Sequence, residues 1–427
     1  MTDFRNWSVY WLRQPIYRES IIAGLNASYY QIEINRNTNM EYDELFYEEV
    51  LRIHYDDQTI KVLSVKERPA TAKGEHFLSD MLRVIIEFSR TSLCGNDSCT
   101  YTETQSFILK HEPFGDSSTL EMVQAQDLFT VEYRVLRDIV PRIESALGIR
   151  LGPKLVYGTD EPPRAILMED LTPEGFYVKN RQKGLPMAHA VMAIEKLAKF
   201  HAGSVNPEAL RSFKQGIFNA STHPNFLVLA ANSLKRLSDD AATWSHKESD
   251  LAAKKLRNVA TLVKDRVRDV YEYEDDEFCV LNHGDAWVNN MMFTEDESGK
   301  PLEQVFVLDL LYFLGINPAL EVRGEGEDKL LEIYLQTLTE SMKKLSCKTE
   351  PPTMRHLKDS MHRRRVYAIM SGLFLLPRMM LDKEEIEGFD QLLINGTSQR
   401  DVYGKPNTIR MMKRMLPLMS DRGYLDS

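Results

Sequence analysis

Apolar and polar positions follow two different rhythms along this chain, and the change falls near residue 170. Before it, Ile60 to Val65, Met81 to Phe88 and Thr104 to Leu109 read as strands, joined by loops rich in Gly, Ser and Asn. That pattern predicts an antiparallel sheet. A helix is expected from near Asp43. A second spans Gln126 to Val140, with Leu128, Val131, Val135, Leu136 and Ile139 on one face and Pro141 closing it. Lys154 to Val156 and Ala165 to Met168 return to strand. Beyond Asp170 the spacing is mostly helical, over residues 189–204, 230–237, 251–273, 329–345, 353–376 and 409–419. Within that region Phe278 to Leu281 and Met291 to Phe293 read as short buried strands, the latter pairing with Val305 to Leu308. The turn at Glu295 to Lys300 carries Ser298-Gly299. The expected fold class is α+β, with a β-rich lobe over residues 42–170 and a larger α-rich lobe over 171–427. Residues 1–41 read as an extension of uncertain structure, in which Tyr29 to Ile34 alternates like a strand before the polar break Asn35 to Asn39.

Chemistry concentrates between the two short strands, in Leu281-Asn282-His283-Gly284-Asp285-Ala286-Trp287-Val288-Asn289-Asn290. An aspartate and an asparagine stand five positions apart behind a His-Gly turn. Phosphoryl transfer needs such a pair: a carboxylate to orient or deprotonate the attacking hydroxyl, and an amide oxygen to help hold Mg²⁺ on the nucleotide. A surface turn would also favour Asp and Asn, so the loop alone leaves both readings open.

Composition narrows the field. A chain of 427 residues with 43% hydrophobic side chains can build sizeable cores in two lobes. A net charge of −10 argues against a general nucleic-acid or anionic-membrane binder, while leaving room for a local basic pocket. The four cysteines, Cys94, Cys99, Cys279 and Cys347, lack metal-site spacing. Cys94 and Cys99 flank a hairpin tip, where a reduced turn is expected rather than a disulfide. No signal-peptide pattern, and no apolar run of about 18 residues, is visible. A soluble, cytoplasmic protein is the expectation, and the sequence does not specify an oligomeric state.

Two charged residues ahead of the Asp285 loop fit the same chemistry. Lys110 ends the strand Thr104 to Leu109, where its ammonium can reach phosphates if an acid on the next helix holds it; Glu132 is the candidate. Either alone would pass for an ordinary surface charge. Backbone amides from Gly74 to Ser79 could cap phosphates, although Thr71 to Ser79 has one glycine and matches a Gly-rich loop poorly. His201, mid-helix in Lys199-Phe200-His201-Ala202, reads as structural. So do Trp287, Tyr367 and Phe374, although aromatics at such positions could also face a choline-like cation.

These segments together resemble the ecdysteroid-kinase-like, or CHK-type, small-molecule kinases, relatives of choline and aminoglycoside kinases. The resemblance rests on Pro69 to Gly74, Phe107-Ile108-Leu109-Lys110, Glu169-Asp170-Leu171 with Gly175-Phe176, Leu197 to Ala202, Leu281 to Phe293, Asp309 to Leu314, and Met415-Leu416-Pro417. It runs from about Tyr42 to the C-terminus. It implies a bilobal protein-kinase-like fold and a phosphotransferase using ATP and Mg²⁺ with an alcohol group as acceptor. By the same likeness Lys110 would bind phosphates and Glu132 would pair with it. Met168, Glu169, Asp170 and Leu171 would form the hinge against adenine, Asp285 would be the base and Asn290 a Mg²⁺ ligand. The partner would be a small-molecule alcohol, ecdysteroid-like or choline-like.

One departure from the family pattern stands out. Members carry a metal-binding Asp-Phe-Gln after the hairpin, then a second aspartate opening an Asp-Leu-x-Tyr-Phe-Leu helix. Here Val305-Phe306-Val307 runs directly into Leu308-Asp309-Leu310-Leu311-Tyr312-Phe313-Leu314. Asp309 falls near the metal position by spacing but has the neighbours of the second, structural aspartate. Three readings follow: an active kinase with Asp309 as second Mg²⁺ ligand, a nucleotide-binding pseudokinase scaffold, or a truncated or mis-spliced form of an active enzyme.

Overall fold

The computed structural model describes residues 42–70, 79–94, 97–113, 118–205, 223–244, 247–268, 270, 277–282, 284–285, 287–305 and 310–426. The extension 1–41, with its expected strand at Tyr29 to Ile34, lies outside the described residues, as do Gly74 and Asp309. The chain divides into two compact units, one comprising residues up to 66 together with 85–105, the other 67–84 together with 106–427.

The first unit begins with α1, Glu44–His54, where the helix was expected. Asp43 starts it by accepting a hydrogen bond from the Phe46 N–H at 2.8 Å, which satisfies one of the helix's unpaired first-turn donors. Phe46, Tyr47, Val50 and Leu51 form its buried face. The unit also holds lengths of β1, Lys61–Pro69, β2, Asp80–Cys94, and β3, Asp97–His111. β3 is longer than alternation predicts because residues 97–102 are exposed throughout and carry no apolar rhythm. Arg90 covers the Tyr55 ring at 4.7 Å and pairs with Glu103 at 3.1 Å. Cys99 lies on the exposed part of β3.

In the second unit the end of β3 pairs antiparallel with β5, Ala165–Glu169, which pairs with β4, Leu155–Thr159. The sheet order is β1-β2-β3-β5-β4. Lys110 stands opposite Ile166 and Phe107 opposite Glu169. A lysine at the end of β3 is thereby set beside the strand that leads into residues 168–171. Between these strands lie α2, Ser118–Ala125, α3, Leu128–Arg134, and α4, Val140–Leu147.

Pro141 does not close a helix, contrary to expectation. α3 passes through a π-helical stretch, Val135–Ile139, straight into α4, with Pro141 in the first turn of α4. Proline has no N–H to give and its ring crowds the carbonyl four residues back; the widened π turn removes both difficulties. The helix ends instead at Gly148, whose left-handed φ of 66° no β-carbon favours.

A second sheet joins β6, Tyr177–Val178, to the hairpin of β7, Met292–Glu295, and β8, Pro301–Val305. Its turn closes with Asp296 accepting from the Ser298 N–H at 2.9 Å and the Lys300 N–H at 3.0 Å. Phe278 to Leu281 is not a strand but coil. An apolar run of four has no period by which to tell the two apart.

The remainder is helical: α5, Met187–Gly203, α6, Pro224–Ala241, α7, Lys247–Arg268, α8, Leu310–Ile316, α9, Glu325–Lys344, and α10, Met354–Arg363. α11, Arg365–Ile369, continues through the π-helical Met370–Leu375 into α12, Leu376–Met379. α13, Phe389–Asn395, and α14, Pro406–Asp421, complete the set. α5 packs along α9, α6 along α7, and α8 against the π-helical stretch. That last approach requires Gly315, since a β-carbon there would lie 2.2 Å from the Ser371 hydroxyl. Trp287, Tyr367 and Phe374 are all buried in the core. Among the described residues no helix is long and apolar enough to cross a membrane.

His201 is buried on α5 with its Nδ1 2.8 Å from the Tyr334 hydroxyl of α9. Burial holds its pKa at about 3, against 6.5 for a free histidine. The unfolded chain therefore takes up a proton as pH falls through 6.5 that the folded chain refuses until about 3. The contribution to stability is intact above pH 6.5 and lost progressively below it, by about 1.4 kcal/mol per pH unit. Urea midpoints at pH 7 and pH 5 should show a drop in wild type that is smaller in His201→Gln. Glu277 and Glu295, both held at about 2, act in the same direction only below about 4.5.

Candidate active site

The Asp285 loop is fixed by what it buries and by hydrogen bonds to itself. Gly284 adopts φ 85°, a backbone conformation that favours glycine. Trp287 and Val288 insert into the core while Asp285 stays exposed. The Trp287 N–H donates to the Asp285 carbonyl at 3.1 Å, and the Asn290 N–H to the Trp287 carbonyl at 2.9 Å. This tight return brings the Asn290 side chain back onto Asp285. Its Nδ2 donates to the Asp285 carbonyl at 2.8 Å and to Oδ2 at 2.9 Å. The other carboxylate oxygen, Oδ1, accepts from the Tyr312 hydroxyl of α8 at 3.1 Å. Both oxygens of an exposed aspartate are thus oriented from below. His283 and Ala286 lie outside the described residues.

The segment entering the loop is anchored at two points. The Leu281 N–H donates to the Ser204 hydroxyl at 3.1 Å, just past the end of α5. Glu277 accepts from Ser360 at 2.9 Å, Arg363 at 3.1 Å and Arg364 at 2.8 Å, all on or beside α10. Burial alone would push the Glu277 carboxyl up; the Arg364 guanidinium and Ser360 hydroxyl outweigh it and hold the pKa at about 2.

Lys110 and Glu132 meet as an ion pair, Nζ to Oε2 at 2.6 Å. The Lys110 ammonium also lies 5.7 Å from the centre of the Phe129 ring. One turn of α3 places Phe129 and Glu132 on the same side, three positions apart.

At residues 168–171 the side chains are committed to the protein. Glu169 binds Arg150 at 3.1 Å and accepts from the Lys154 N–H at 3.0 Å. Asp170 accepts from Arg83 Nε at 2.7 Å, the Ser106 hydroxyl at 2.8 Å and the Thr172 N–H at 3.1 Å. Burial raises the Asp170 pKa, but these donors, Arg83 foremost, bring it below the usual carboxylate range. Met168 and Leu171 are buried. The Leu171 carbonyl accepts from Glu174 and Phe176, whereas its N–H has no backbone acceptor among the described residues. A nucleotide base here would therefore meet main chain rather than the Glu169 or Asp170 carboxylates. An open cavity of about 540 Å³ beside β4 and β5 is lined by Arg150, Lys154, Glu169 and Glu174 but contains neither Lys110 nor Asp285.

Of the remaining candidates, Ser79 is half-buried immediately before β2. Among the described residues no three His, Cys, Asp or Glu side chains gather as a metal site. The pattern along the chain did not single out Tyr312, Arg83 or Arg150. A hydroxyl inside the apolar run Leu310 to Ile316 was the available signal for Tyr312, because a buried tyrosine hydroxyl needs a partner.

The sequence pattern of the ecdysteroid kinase-like family matches residues 73–347, and the chain belongs to that family. Among solved structures the chain is similar to Plasmodium vivax ethanolamine kinase at 12% identity, covering 84% of this chain and 83% of that one, with a TM-score of 0.34. It is similar also to choline kinase from Cryptosporidium parvum at 10% identity, covering 90% and 98%, with a TM-score of 0.36. No curated protein matches the chain.

Proposed function

We propose that this chain is an ATP-dependent phosphotransferase acting on the hydroxyl of a small molecule in the cytoplasm. The observation that carries the reading is the Asp285 carboxylate, exposed yet held by Asn290 at 2.9 Å on the same loop. Asp285 would take the proton of the acceptor hydroxyl. With the Asn290 nitrogen committed to Asp285, its amide oxygen is the atom suited to a hard cation. Bound Mg²⁺ would neutralise charge on the phosphates, with Asn290 and Asp309 as the residues to hold it. Lys110, aimed by the Glu132 carboxylate at 2.6 Å, would bind phosphate oxygens. The Leu171 N–H and neighbouring main chain of residues 168–171 would receive the adenine, and amides between Gly74 and Ser79 would cap phosphates. The acceptor is an alcohol of the ecdysteroid-like or choline-like kind.

ATP-dependent thermal stabilisation tests the nucleotide site directly. Saturating MgATP should raise the melting temperature of the wild type, and Lys110→Ala should remove most of the shift, as expected if binding to the folded state is lost. A wild type indifferent to MgATP would end the kinase reading.

The direct run from Val307 to Asp309 favours a second reading, a nucleotide-binding scaffold without useful turnover. A metal clamp contributes several kcal/mol to the transition state, and each 1.4 kcal/mol is about tenfold in rate. Mg²⁺ dependence of ATP binding in Asp309→Ala separates the two, because a ligand's loss should abolish it. Sequencing transcripts across Val307-Leu308 tests whether a longer form is the enzyme.

A further inference from the structure

We infer that Tyr312 is a positioning residue for the base, holding the Asp285 carboxylate in the rotamer that presents it to the acceptor. This rests on the kinase reading for its kinetic consequence, but the contact itself is independent of that reading. The Tyr312 hydroxyl reaches Asp285 Oδ1 at 3.1 Å while Asn290 Nδ2 reaches Oδ2 at 2.9 Å. Two donors from two different elements, one on each oxygen, fix the plane of the carboxylate as one donor cannot. An exposed aspartate would otherwise turn about its side-chain bonds among several rotamers.

The tyrosine is itself rigidly mounted. Its ring is 1% exposed and lies 6.0 Å from the Tyr367 ring. The helix that bears it is pinned at its far end by Arg323, fully buried, whose guanidinium donates to the carbonyls of Leu314 and, at 3.3 Å, Ile316. Those carbonyls are among the last-turn acceptors that a helix leaves unpaired. On the π-helical side, Gly315 allows α8 to press against Ser371. The hydroxyl therefore sits on a short helix that has no freedom to slide, and its distance to Asp285 is set by the fold. A general base must hold its oxygen within hydrogen-bond reach of the proton it takes, so loss of one constraint should be felt in turnover before binding.

The test is Tyr312→Phe, which keeps the ring and removes the hydroxyl. Turnover of ATP with an accepted alcohol should fall about tenfold or more in kcat, with the ATP dissociation constant and melting temperature nearly unchanged. In an Asp285→Asn background the same change should cost nothing further, since the group it positions no longer acts. A purely structural role would instead lower the melting temperature and weaken ATP binding. Wild-type kcat in Tyr312→Phe overturns the inference. If the wild type phosphorylates no alcohol, the kinase reading fails separately. The positioning is then read from crystal structures of both proteins, where an unchanged Asp285 rotamer in Tyr312→Phe overturns it.

Discussion

Asp285→Asn should reduce phosphotransfer by roughly a hundred- to ten-thousandfold, the usual worth of a positioned general base, while leaving ATP affinity within about twofold. The substitution is nearly isosteric, and its one amide oxygen can keep either the Tyr312 or the Asn290 donor while the amide nitrogen faces the other. What it cannot do is take a proton from an alcohol. The separation of effects follows from where the contacts lie. Lys110 and the main chain near Leu171 are the residues assigned to nucleotide, and none of them touches Asp285 in the hydrogen-bond network described above. Initial rates and MgATP titrations on one preparation decide the matter. Unchanged turnover would assign Asp285 another task; lost ATP affinity would place it against the phosphates instead.

The sequence made the elements legible where one face is buried and the other wet. The start of α1 behind Asp43, the end of β3 one residue past Lys110 and the hairpin turn at Ser298-Gly299 all lie where side-chain chemistry or turn residues announce them. Rhythm failed where both faces share one environment. Residues 97–102 are strand but exposed throughout, and Phe278 to Leu281 is apolar but coil. Pro141 misled because a π-helical stretch absorbs it, and nothing in a residue list reports a widened turn. Spacing likewise placed Asp285 and Asn290 together, because the partners share one short loop. It could not find Tyr312, which is 27 positions from Asp285, or the Arg83 that holds Asp170 from 87 positions away. Such partners are chosen by the packing of whole helices and strands, and a single chain of letters carries no distance between them.

The largest loss of stability should come from Glu327→Ala. Arg323 is wholly buried, and Glu327 beside it supplies the carboxylate, with Nη1 to Oε1 at 3.1 Å. The second oxygen of Glu327 accepts from Arg422 at 2.6 Å and from the Gly324 N–H at 3.4 Å. Arg414 closes the group by donating to the Arg323 carbonyl at 2.8 Å. Removing the single carboxylate strips its counter-charge from one buried guanidinium and one partly buried one. Breaking a buried pair in this way costs about 3–5 kcal/mol, because the remaining charge has no water to return to. Replacing both partners, in Arg323→Met with Glu327→Leu, should cost less than Glu327→Ala alone, since the wholly buried charge is then removed and only the partly buried Arg422 loses this partner. Arg236 offers the control: it pairs with Asp240 at 3.0 Å on the surface of α6, with 61% of its side chain exposed. Arg236→Ala should change stability by less than about 1 kcal/mol. Urea midpoints for the three variants should rank in that order, with Glu327→Ala lowest. A Glu327→Ala protein as stable as Arg236→Ala would mean that Arg323 finds other acceptors, and that α8, with Tyr312 on it, is held by packing rather than by charge.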